Sequence, residues 1–121
     1  MSDQETLESI GRIEIAPEVL TTIARYTTLS VDGVNMLAPV PADVSRIFRR
    51  AIRDEGTLLN YTDGRLTFDI YVLMNPHVNV LETSHRVQEA VIEAIDKMVG
   101  IPVEAINVHV EDVIYAIDEA A

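Results

Sequence analysis

The sequence predicts an α+β fold: a single mixed β-sheet of about five strands, with two longer helices and one short helix packed mainly on one face. Three stretches carry that prediction. Asn79 to Gly100 reads as one capped amphipathic helix, Arg65 to Met74 alternates apolar and polar residues with the strand period, and Ile106 to Val110 does the same. Strand, long helix and strand in that order make a β-α-β unit, which is long enough for a parallel crossover.

The elements follow in order. Residues 1–8 (MSDQETLE) are polar and acidic and read as a disordered tail, leaving residues 9–118 as a single domain. Ile10 to Ile15 sets Ile13 and Ile15 against Arg12 and Glu14 and reads as a short strand. Pro17 suits the first turn of a helix, and Val19, Leu20, Ile23, Ala24 and Thr27 share one face of it. Val31 to Leu37 is a second strand candidate. Pro39 and Pro41 then break the chain, and Val44, Ile47, Phe48 and Ala51 lie at the spacing of a short amphipathic helix.

Thr57 to Tyr61 and Arg65 to Met74 are strands joined by Thr62-Asp63-Gly64, a strong hairpin signal. In the second of them Leu66, Phe68, Ile70, Val72 and Met74 point one way, and Thr67, Asp69 and Tyr71 the other. Asn79 is placed to cap the long helix, with Glu82 three residues on. Val80, Ser84, Val87, Val91, Ile95 and Met98 form its expected apolar stripe. Glu82–Arg86 and Glu93–Lys97 stand four apart in the favourable order. Gly100 tolerates the positive φ of a helix end, and Pro102 prevents continuation.

Composition narrows the function. A 121-residue chain buries a core without metal or disulfide staples. A net charge of −11 excludes a general polyanion binder, so no nucleic-acid partner is expected. With no cysteine there is no disulfide framework, zinc ribbon or thiol nucleophile. The N-terminus lacks the basic start and apolar run of a secretory signal, and no apolar run approaches the roughly 20 residues of a membrane span.

No catalytic, metal or cofactor residue is nominated. His77, His85 and His109 stand in no metal-binding spacing with one another. Glu82, His85 and Glu89 share a helix face, but that face reads as solvated. Ser84 beside His85 is no nucleophile–base pair, because helix neighbours do not face each other. The five glycines are isolated, so no loop cradles a phosphate. A non-enzymatic role follows.

Two features remain. Arg46, Arg49, Arg50 and Arg53 are four of the nine basic residues within eight positions, a surface suited to an anionic partner. The competing reading is a solvated helix face balanced by Asp43, Asp54 and Glu55. The other feature is Val113 to Ile117, which extends the last strand with apolar residues on both faces. Val113, Tyr115 and Ile117 are therefore candidates for self-association, against the alternative of packing within the chain.

The order of motifs resembles the alkaline shock protein twenty-three family of bacterial envelope-stress proteins. Gly11, Ile13 and Ile15 match its opening G-x-I-x-I, and Ala16 to Ala24 its proline-containing helix start. Gly33-Val34, then Val87, Gln88 and Val91, Met98-Val99-Gly100 and finally Ile106 to Val110 (INVHV) follow in the family's order. Met74-Asn75-Pro76 departs from the tyrosine-glycine usual after the central strand. The resemblance implies a non-enzymatic, cytoplasmic scaffold or adaptor at the inner face of the cell membrane. It implies an indirect membrane contact through a membrane-anchoring protein of the same family, and homo-oligomers. A small-ligand-binding regulatory domain is the alternative, since compact α+β sheets often hold metabolites.

Overall fold

The computed structural model describes residues 10–47 and 51–115. Its elements are α1 (Pro17–Ser30), β1 (Val34–Leu37), α2 (Ala42–Ile47), β2 (Ile52–Asp54), β3 (Thr57–Thr62), β4 (Arg65–Met74), α3 (Val80–Met98) and β5 (Val103–Val113). The fold is α+β, built on one five-stranded sheet.

β4 is the axis of the sheet because it has the longest clean alternation. Its N-terminal half pairs antiparallel with β3, from Thr62↔Arg65 to Thr57↔Ile70. Its C-terminal end pairs antiparallel with β1, Val34 opposite Met74. Along its other edge it pairs parallel with β5, from Leu66↔Val103 to Met74↔Val113. The sheet is therefore mixed, with α3 making the crossover. Asp63 (φ 53°) and Gly64 (φ 75°) both take positive φ, the two-residue turn that matches strand twist.

The core lies between the sheet and the two long helices. Leu66, Phe68, Ile70, Val72 and Met74 meet Leu20, Ile23 and Ala24 of α1 and Val87, Val91 and Ile95 of α3. Removing water from such side chains is worth roughly 1.5–3 kcal/mol each. Asn79 caps α3, its Oδ1 accepting from the Glu82 amide at 2.8 Å. The two expected ion pairs form along the helix, Arg86–Glu82 at 3.1 Å and Lys97–Glu93 at 3.6 Å.

The structure corrects four expectations. Ile10 to Ile15 is not a strand: no sheet edge takes its backbone, and Ile13 is 85% exposed. The buried stripe of α3 uses Thr83 where Ser84 and Val80 were expected, and Met98 is 70% exposed beyond the last buried turn. The predicted short helix does not reach Ala51, because Ile52–Asp54 is a strand paired with β3. The terminal strand stops at Val113 rather than running through Tyr115, where the chain leaves regular structure.

Gly33 and Gly56 are required by close approach. A Cβ on Gly33 (φ +105°) would sit 3.0 Å from Thr83 Cγ2, where β1 passes α3. One on Gly56 (φ +62°) would lie 2.7 Å from the Ala38 carbonyl oxygen, inside the β2–β3 turn.

Candidate functional site

The face of the sheet turned away from the long helices carries the densest polar chemistry. Asp69 and Tyr71 stand on β4, and the parallel register sets His109 of β5 beside them. His109 Nε2 and Asp69 Oδ1 are 2.8 Å apart, and the imidazole stacks on the Tyr71 ring with centroids 4.3 Å apart and planes 11° from parallel. Leu58 of β3, opposite Asp69, is fully buried on this same face, and Tyr71 is 3% exposed.

Burial pushes the Tyr71 phenol above its ordinary range, and the charges of Asp69, Glu111 and Asp43 push it the same way. A carboxylate orienting an imidazole is half of a general-base arrangement. A phenol held protonated makes a poor nucleophile beside it. The cluster's evident work is structural: it joins β5 to β4 on the face away from the long helices.

A cleft of about 610 Å³ opens beside β1 and the β2–β3 turn, bordered by Leu29, Met36, Pro39, Val40, Ser45 and Arg53. Met36 and Leu29 are exposed on its wall. Of the two described arginines of the predicted patch, Arg53 borders this cleft. Arg46 lies exposed in the last turn of α2, and Arg53 lies exposed on β2. Arg53 therefore does not share a helix with Arg46; Arg49 and Arg50 lie outside the described residues.

One of the three acids expected to balance the arginines is engaged elsewhere. Asp54 Oδ2 pairs with Arg25 Nε at 3.1 Å, half-buried on both sides. That hydrogen bond raises the Arg25 pKa further, and the guanidinium also stacks 4.5 Å over the Tyr26 ring. Asp43 stays exposed in the first turn of α2. Among the described residues, neither Arg46 nor Arg53 forms an ion pair.

Of the self-association residues, Val113 is half-buried and packs against the core. Tyr115 meets His77 edge-on, ring centroids 5.7 Å apart, so it folds onto the turn between β4 and α3. Ile117 lies outside the described residues. Sequence reasoning missed Gln88, whose Nε2 donates to the Ile106 carbonyl at 3.0 Å and ties α3 to the edge strand. Its place between Val87 and Val91 was the signal: a polar residue bordering a buried stripe is set to reach a nearby backbone group.

These features define a small α+β domain with a polar seam on one sheet face and two exposed arginines, Arg46 and Arg53, on an acidic chain. Residues 5–115 match the profile of the alkaline shock protein twenty-three family, described as having a cell envelope-related function, and the chain belongs to that family. It is similar to the uncharacterized protein Spy1535 of Streptococcus pyogenes serotype M6, 36% identical over 90% of this chain and 84% of that one. It is also similar to the uncharacterized protein YqhY of Bacillus subtilis strain 168, 28% identical over 84% of this chain and 76% of the other. Among solved structures, the copper form of the MamM CTD aligns with TM-score 0.48 and 18% identity, over 79% of this chain and 85% of that chain.

Proposed function

We propose that this protein is a non-enzymatic adaptor or scaffold of the cell envelope. It works at the cytoplasmic face of the membrane, recruited by a membrane-anchoring member of its own family. The observation that carries the reading is the basic margin of Arg46 and Arg53. On a chain of net charge −11 these arginines stay exposed while Asp54, one of the acids nearest them in sequence, is paired with Arg25. A local positive field on an acidic protein selects an anionic partner and turns the rest of the surface away from it. Family membership, with its cell envelope-related function, supplies the setting. Among the described residues no helix is long and apolar enough to cross a membrane.

Arg49 and Arg50 complete the set of partner-binding arginines that the sequence suggests. Self-association of the scaffold is part of this reading, with Val113, Tyr115 and Ile117 as its candidate residues. Affinity capture of the tagged full chain from a membrane-retaining lysate tests the adaptor role. A transmembrane protein of the same family is expected in the wild-type capture and absent from that of Arg46→Glu/Arg53→Glu. Equal recovery of that protein with both baits contradicts the reading.

A further inference from the structure

We propose that Arg12-Ile13-Glu14 of one copy adds as a short antiparallel strand to the outer edge of β5 in a second copy. This deepens the self-association part of the function proposed above and rests on it. Two unsatisfied elements meet in the proposal. Ile10 to Ile15 has strand alternation but no strand partner, with Ile10 78% and Ile13 85% exposed. β5 is an edge strand whose sheet neighbour among the described residues is β4, so its outer backbone groups are available for pairing.

One register satisfies both side-chain faces. Setting Ile13 opposite Val110 places Ile15 opposite Val108, and both valines are half-buried on the core side of β5. On the other face Glu14 then stands opposite the His109 imidazole, and Arg12 falls at Glu111, the residue that bulges from the β4–β5 ladder between Val110 and Asp112. A bulge leaves its side chain close to the added strand, so the two opposite charges of Arg12 and Glu111 meet on one face. Shifting by one residue puts Ile13 among the polar residues and forfeits both matches.

The edge itself limits where a strand can add. Gln88 occupies the Ile106 carbonyl, which closes the edge at that point and leaves Val108 to Glu111 beyond it. The donor cannot be the chain's own segment in this register. Ile15 lines an apolar cleft of about 430 Å³ with Leu66 and Ile101. Leu66 pairs with Val103 and Ile70 with Val108, so Val108 lies four β4 residues further along the sheet, about 13 Å away at about 3.3 Å per residue. Ile15 cannot keep its cleft and reach its own Val108. A second copy's β5 meets no such constraint.

The chain has no cysteine, so single cysteines report the register directly. Full-length Arg12→Cys is mixed with full-length Glu111→Cys and mildly oxidised; a disulfide needs Cα atoms about 4.4–6.8 Å apart. The mixed disulfide dimer is expected in several-fold excess over either self-dimer, and over the dimer from Arg12→Cys mixed with Asn107→Cys. A yield equal to that control overturns the proposal. Sedimentation supplies a second arm: Arg12→Glu and Glu111→Arg should each reduce association, and the two variants mixed together should restore it. Association unchanged by both substitutions also overturns the strand addition. Neither result touches recruitment through the arginine margin, which the membrane capture reads separately.

Discussion

His109 Nε2 lies 2.8 Å from Asp69 Oδ1 across the parallel pair β4–β5, and the same imidazole lies flat on the Tyr71 ring. The three side chains bridge the only parallel pairing among the described residues, on the face away from the long helices. Parallel ladders are slightly less stable per residue than antiparallel ones, so a side-chain clasp across this one has an evident use. Its dependence on pH follows from Tyr71. The folded state holds this phenol above its ordinary value of 10.0, so the unfolded chain gives up the proton first. The stability this contributes is fully present below about pH 10 and is lost as pH rises through the folded value. Thermal melts between pH 9 and 11 should show the wild type losing Tm more steeply than Tyr71→Phe. Parallel slopes for the two proteins would show that Tyr71 does not govern alkaline unfolding.

Gln88 should matter more than its half-exposed place on α3 suggests. Gln88→Leu leaves the Ile106 carbonyl without its side-chain donor, a loss of about 1 kcal/mol in a denaturant titration. The same substitution reopens the edge of β5 at Ile106, so the variant should associate more readily than wild type. Reduced stability with unchanged association would separate the two roles.

Thr57 predicts a gain. Its hydroxyl is buried with no hydrogen-bond partner, opposite Ile70 on the core side of β3. Thr57→Val keeps the branched shape and removes the unpaired oxygen, and should raise stability by about 1 kcal/mol. A fall in Tm would mean that the hydroxyl has a partner.

The cap of α3 predicts a loss. Asn79→Ala removes the bond to the Glu82 amide and should cost about 1 kcal/mol of stability, measured by chemical unfolding. Asn79→Asp keeps an acceptor at the helix N-terminus and should stay near wild type.

Much of the fold was legible because its signals are local. The alternation of β4, the Asp63-Gly64 turn and both ends of α3 each depend on residues within a few positions of one another, and all three stand where the spacing puts them. β2 was hidden because Arg49, Arg50 and Arg53 look like the polar face of a helix continuing from Val44. Pairing with Leu58 and Leu59 decides that Ile52 and Arg53 are extended. Ile10 to Ile15 erred the other way: alternation supplies a strand's side chains but not its partner.

The Asp69–Tyr71–His109 cluster was out of reach for a different reason. Asp69 and His109 are 40 positions apart and meet only once the parallel register is set. Tyr71 sat correctly on the face opposite Phe68, but alternation alone called that face polar, whereas Leu58 and Tyr71 make it a second, smaller buried layer.

The central claim is recruitment through the arginine margin, and co-sedimentation with native membranes tests it most directly. Exposed substitutions usually shift stability by less than about 0.5 kcal/mol, so Arg46→Glu/Arg53→Glu should fold as the wild type does. Wild-type protein should pellet with the membranes and be released as salt rises, since exposed charges are screened beyond about 8 Å at physiological ionic strength. The folded double variant should remain in the supernatant at every salt concentration. If it pellets to the same extent as wild type, with the same salt dependence, the arginines only face solvent and the account is wrong.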